Sequence, residues 1–223
     1  MNKEWSELNK TMQAQLKKRD TFSEGIETLF TLRNELKKEI FRFKNELSRE
    51  EMCAAPFINA EGYHSKTVAY SLWHIFRIED IAAHTLIAGN EQVFFVHDFQ
   101  KRINSPIITT GNELVKDEIV HFSKALDIDE LYAYISETDR FTSEILSSLS
   151  FDYLKKKVTE EKRSTLESLN VVSSSENARW LIDYWCGKDI CGLIKMPLSR
   201  HWIMHIEACL RIEERLKKLQ LKV

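Results

Sequence analysis

The chain is predicted to be all-α, a four-helix bundle with two long decorated connections. Three observations predict it. Apolar residues recur at intervals of three and four over four long stretches, the period of a helix with one buried face. Six Gly and three Pro in 223 residues fall below the combined usage of roughly 12% in average proteins, too few for the tight turns of a β-sandwich or barrel. The glycines do not cluster into a phosphate-binding loop, which excludes a nucleotide-binding α/β fold. A chain of 223 residues with 43% hydrophobic side chains reads as one domain, 1–223, able to bury a core.

The first bundle helix covers about 20–48, with the stripe Phe22, Ile26, Leu29, Leu36, Ile40, Phe43 and Leu47. Thr21 and Glu24 have the spacing of a capping box at its front. A weaker period at Trp5, Leu8, Met12 and Leu16 places a shorter helix before it. The stripe breaks at Arg33, which either snorkels outward or meets a carboxylate inside. The second helix, about 66–89, starts from a Ser65 or Thr67 cap and stops at Gly89-Asn90. Its inner face, Val68, Leu72, Ile75, Ala82 and Leu86, is interrupted by Glu79. Arg33 and Glu79 therefore either pair between helices or both face water.

Residues 91–126 form the first long connection, with a strand-like or irregular run over Val93–Val96 and a short helix near 113–124. Asp127 and Glu130 cap a third helix over about 127–149, lined by Ile128, Leu131, Ile135, Ile145 and Leu149. The second connection, 150–197, carries short helices near 159–169 and 175–186. Pro197 and Ser199 open the last helix, about 198–221, which runs through His201, His205, Ile212, Leu216 and Leu219.

Charge narrows the partners. With 32 Lys+Arg against 34 Asp+Glu, basic and acidic residues interleave, and no basic stripe offers itself to phosphates; nucleic acid is not an expected partner. No window of ~18 residues is apolar enough to cross a bilayer. The polar start Met1-Asn2-Lys3-Glu4 does not read as a signal peptide, so a cytoplasmic protein with no membrane contact is expected. Cys53, Cys186, Cys191 and Cys209 form no Cys-x-x-Cys pair and are read as free thiols.

Chemistry concentrates on the last helix. His201 and His205 are four apart, ~40° in rotation, with Cβ atoms about 5–6 Å apart; both can grip one ion. They lie on the stripe of Ile212, Leu216 and Leu219 and so point into the bundle, where imidazoles need partners. Core histidines satisfied by packing fit the same spacing. Cys209 is ~12 Å along the axis from His201 and is read as packing. A third ligand must come from another helix, and His74 is the candidate. It meets the pair if the second and fourth helices start at the same end of the bundle, as in up-down-up-down order. His84 is rotated ~80° from His74, and His64, His97 and His121 fall in or beside connections; these are read as surface or supporting residues.

The run Ser71-Leu72-Trp73-His74-Ile75-Phe76-Arg77-Ile78-Glu79-Asp80, together with Met196-Pro197-Leu198-Ser199-Arg200-His201-Trp202-Ile203-Met204-His205, resembles the DinB-like family of damage-inducible proteins, which is distinct from the DNA polymerase sharing that name. The resemblance extends over the four bundle helices and is specific at the two histidine motifs. It implies a bundle in which one histidine of the second helix and two of the fourth, His74, His201 and His205, hold a divalent transition metal. It also implies a homodimer, and, from wider relatives, a thiol-dependent S-transferase in which the metal activates a low-molecular-weight thiol against a small electrophilic substrate. This chain departs from the family pattern by its extra sequence at 91–126 and 165–197.

Three neutral imidazoles leave coordination positions open, as catalytic sites do. Nitrogen ligands suit zinc, nickel, copper or iron(II) without deciding among them. Arg77, one turn after His74, either anchors a carboxylate of thiol or acceptor or pairs with Asp80 along the helix. Two alternatives to transfer stand beside it. A hydrolase would need a carboxylate such as Glu79 or Glu207 as general base; a non-catalytic metal-binding or dimerisation module would fill the open face with apolar side chains. Trp180, Tyr184 and Trp185 in the second connection either cover the site or plug the end of the bundle.

Overall fold

Helices make up the fold in the computed structural model, which describes residues 2–220. Among the described residues there is no strand, only an isolated bridge between Lys157 and Asp189. Helix α1 (Lys3–Gln15) starts where the Asn2 side chain accepts from the Glu4 and Trp5 amides, and it buries Trp5 and Met12 as it packs along α2 (Phe22–Glu46). The expected Thr21–Glu24 capping box does not form. The Thr21 hydroxyl donates to the Gln15 carbonyl (2.8 Å) and Glu24 accepts from the Gln15 amide, so the junction with α1 takes both groups. A capping box forms instead between Ser48 and Glu51, opening the single turn Arg49–Met52.

Helix α3 (Val68–Asp80) begins where Thr67, not Ser65, accepts from the Tyr70 amide. It continues as a π-helical segment, Ile81–Ala88, and ends at Gly89 with a left-handed φ of 78°. Every residue from Val68 to Ile87 is buried. This helix is thus enclosed on all sides by the long helices and both connections, a degree of burial that its sequence stripe alone does not reveal. Next come α4 (Asp117–Ala125), α5 (Ile128–Ser148), α6 (Glu160–Ser168), α7 (Glu176–Cys186), α8 (Ile190–Lys195), a π-helical turn Met196–Arg200, and α9 (His201–Gln220). The Asp127 side chain caps α5 by accepting from the Glu130 amide. The expected helix end at 221 lies outside the described residues. Helix α3 packs on α5 and α9, while α2 touches both of those as well.

The run Val93–Val96 is a helical turn and not a strand. Its amides at Val93 and Phe94 donate to the Asp80 carboxylate at 2.9 Å each, and a carboxylate at the head of a turn holds it helical. Asp80 also accepts from the Tyr134 hydroxyl (2.9 Å), so the first connection is fastened to α3 and α5 at one buried group.

Arg33 and Glu79 pair inside the protein. Their side chains are 1% and 0% exposed, and Arg33 donates twice to Glu79, at 2.9 and 2.7 Å. The same guanidinium donates to Asp139 (2.7 Å) on α5 and to the Leu198 carbonyl (3.2 Å) in the π-turn, and lies 4.2 Å from the Trp202 ring. One charge thereby ties α2, α3, α5 and the start of α9 together. Burial opposes the charge of Arg33, but Glu79 and Asp139 more than restore it. Burial likewise pushes the Glu79 carboxyl up, against the pull of Arg33; the two-pronged geometry keeps the pair ionic. No helix of the described residues is long and apolar enough to cross a membrane. The four cysteines are free thiols, and burial pushes the Cys209 thiol up to about 12.

Candidate metal centre

His74 stands in the second turn of α3, while His201 and His205 open α9. All three are buried, and each offers a ligand atom such that these atoms lie within 4.8 Å of one another. An equilateral triangle of that edge has its centre about 2.8 Å from each corner, against a Zn–N bond of about 2.0–2.1 Å; small inward tilts of the rings close the difference. The ring centroids are 5.1 Å apart for His74 and His201, 4.8 Å for His74 and His205, and 4.5 Å for His201 and His205. The histidines can therefore hold a metal ion.

Their nitrogens fit that use. Nδ1 of His74 lies 2.6 Å from the Thr110 carbonyl; the carbonyl only accepts, so this nitrogen carries the proton and Nε2 keeps its lone pair for a ligand. Nδ1 of His201 and both ring nitrogens of His205 are buried with no hydrogen-bond partner. Unpartnered buried nitrogens are costly, and a cation shared among the rings would satisfy one nitrogen of each. Burial drives His74 down to about 4, against the Thr110 carbonyl, and drives His201 and His205 well below their ordinary value, helped by the neighbouring imidazoles. All three are neutral near pH 7, the form that ligates.

Aromatic packing fixes the rings. Tyr70 stacks on His74 with centroids 5.5 Å apart and planes 11° apart, and Tyr63 meets His205 edge-on at 4.8 Å. Tyr70 also donates its hydroxyl to the Gly111 carbonyl (2.9 Å), drawing the loop that carries Thr110 onto α3. Gly111 has a φ of 76°, and a Cβ there would come within 3.0 Å of both Trp73 and Tyr70. Gly111→Ala is expected to lower stability by about 1–3 kcal/mol and, by displacing the Thr110 carbonyl, to weaken metal binding about tenfold or more. Thermal unfolding and a metal titration check the two effects separately.

Two cavities of about 220 Å³ each flank the histidines. The first is lined by Gly62, Tyr63, Lys66, Tyr70, His74, Asn112 and His205. The second adds Trp180, Leu181, Tyr184, Trp185, Met196 and Pro197 around the three histidines. The second connection thus walls the centre without sealing it. Neither lining includes an Asp or Glu.

The other sequence candidates lie elsewhere. Arg77 lines neither cavity; it is fully buried, donating to the Ile108 carbonyl (3.0 Å) and to Gln92 (2.7 Å) and lying 4.4 Å from the Phe94 ring. It fastens the start and the middle of the first connection to α3, and its contact with Asp80 is a buried 3.7 Å pair, not a solvated one. Glu79 is held by Arg33, and Glu207 accepts from the Asn2 amide. His84 is buried, not superficial, with Nδ1 3.0 Å from Asp80. Sequence reasoning missed Thr110, Tyr63, Lys66, Asn112 and Tyr70. The last was detectable, since Tyr70 precedes His74 by four residues on one helix face; the others reach the site through loop packing.

No family model matches the chain. A search of curated proteins finds no match either. The reading of this centre therefore rests on its own geometry.

Proposed function

We propose that the chain is a metal-dependent enzyme of the DinB-like type, a decorated four-helix bundle whose His74, His201 and His205 hold a divalent transition metal for thiol-dependent S-transfer. The observation that carries this reading is the convergence of three neutral imidazoles beside open cavities that contain no carboxylate. Such a centre, when loaded, supplies the Lewis acidity that turns a bound thiol into thiolate near neutral pH. The Thr110 carbonyl holds His74 in the ligating tautomer. Tyr70 and Tyr63 set the angles of the His74 and His205 rings. Trp180, Tyr184 and Trp185 offer an apolar wall that displaces water from the reacting groups.

The carboxylate that hydrolysis would require as general base is absent from both linings, and Glu79 and Glu207 are engaged elsewhere. This favours transfer over hydrolysis, and the open cavities favour a reactive centre over a sealed structural ion.

The test uses the purified chain, loaded in turn with zinc, nickel or iron(II), with dithiothreitol as thiol and 1-chloro-2,4-dinitrobenzene as acceptor. The thiolate sulfur bonds to the ring carbon, chloride leaves with the electron pair of the broken bond, and the thiol proton passes to buffer. Loaded wild type is expected to accelerate thioether formation, and stripped protein or His205→Ala to fall to the uncatalysed rate. Equal rates in loaded and stripped protein contradict the reading.

A further inference from the structure

We infer that the substrate side of this centre takes a molecule with a carboxylate at one end and an apolar, preferably aromatic, body at the other. Lys66 and Asn112 hold the carboxylate, and the wall formed by Trp180, Tyr184 and Trp185 takes the body. The inference rests on the metal reading for its setting, but its core observation is independent of it.

Lys66 lines the same cavity as His74 and His205. It is partly buried, its ammonium lies 5.7 Å from the Tyr70 ring, and among the described residues it makes no ion pair. Most other partly buried cations of the chain have carboxylate or carbonyl partners: Lys37 meets Asp139, Lys162 meets the Leu86 and Ile87 carbonyls, and Arg42 meets Glu213. A cation that has lost part of its hydration without gaining a counter-charge is costly unless a ligand supplies one. Burial accordingly lowers the pKa of Lys66. A divalent ion on three neutral imidazoles keeps its full charge and adds to the excess, and no acidic side chain lines either cavity to balance it.

Asn112 belongs to both linings. Its amide oxygen accepts from the Thr110 hydroxyl (2.7 Å), leaving its NH2 to donate. One ammonium and one amide match a single carboxylate; a phosphate is more often met by several guanidinium groups. On the other side, Trp180 is 51% and Tyr63 43% exposed, large aromatic surfaces bordering a concave site, where a ligand's apolar part gains most by covering them. Trp180 is held edge-on against Tyr184 at 5.5 Å.

The experiment measures binding of 3-phenylpropanoate and its neutral counterpart 3-phenylpropanamide to the zinc-treated full chain by calorimetry, with zinc content determined on each sample. Wild type is expected to bind the acid at least tenfold more tightly than the amide. Lys66→Met abolishes that preference, Lys66→Arg keeps it, and Trp180→Ala weakens acid and amide by the same factor, all at equal zinc content. No preference in wild type, or a preference that survives Lys66→Met, overturns the inference. If the chain takes up no zinc, the metal reading fails on its own. The acid-to-amide ratio on that same protein then still decides: a Lys66-dependent preference supports the anion site, and its absence overturns it.

Discussion

Arg33→Met is expected to destabilise the protein by about 3–5 kcal/mol, a drop in melting temperature of roughly 6–20 °C for a chain of this size. The substitution keeps much of the side-chain volume but leaves Glu79, fully buried, without its guanidinium. It also removes the donor to the Leu198 carbonyl and the cation from the face of Trp202. The double variant Arg33→Met/Glu79→Leu should recover most of the loss, because the price of an unpaired buried charge disappears when both partners go. Chemical denaturation of wild type, both single variants and the double variant measures the coupling. Additive losses would show that the pair does not join α2 to α3. Since Leu198 and Trp202 flank His201, Arg33→Met should also loosen the histidine-bearing end of α9, and its metal affinity should fall more than that of a surface variant.

His201→Ala and His205→Ala are each expected to reduce affinity for a divalent transition metal by at least a hundredfold, more than the 10- to 100-fold typical of residues that only orient ligands. Removing one of three imidazoles leaves a bidentate site that competes poorly with water and buffer. The same variants should still fold in the metal-free state, losing ring packing worth about 1–3 kcal/mol but no hydrogen bond from the His205 nitrogens or Nδ1 of His201. Competition titration against a chromophoric chelator gives the affinities, and circular dichroism checks the fold. A ligand variant that binds as tightly as wild type would remove that residue from the centre.

Much of this fold was legible because long amphipathic helices announce themselves locally. The stripes ending at Leu47 and starting at Ile128 and the stop at Gly89 depend only on neighbours along the chain. The i,i+4 spacing of His201 and His205 was equally local, and the matching interruptions at Arg33 and Glu79 hinted at a long-range pair. What stayed hidden depends on packing between distant segments. Thr21 has capping chemistry, but the Gln15 carbonyl takes its hydroxyl. Val93–Val96 has strand-like composition, but Asp80 turns it into a helix. Thr110 and Lys66 reach the histidines through loops whose course no periodicity encodes. Arg77 stands one turn after His74 in the sequence, yet its partners come from the start and the middle of the first connection.

X-ray absorption at the metal edge of the purified, metal-loaded chain reads the coordination sphere itself. One metal per chain is expected, with three imidazole nitrogens in its inner sphere and a further light atom from solvent. An inner sphere without imidazole, or the same spectrum from a His74→Ala/His201→Ala/His205→Ala variant, would contradict it.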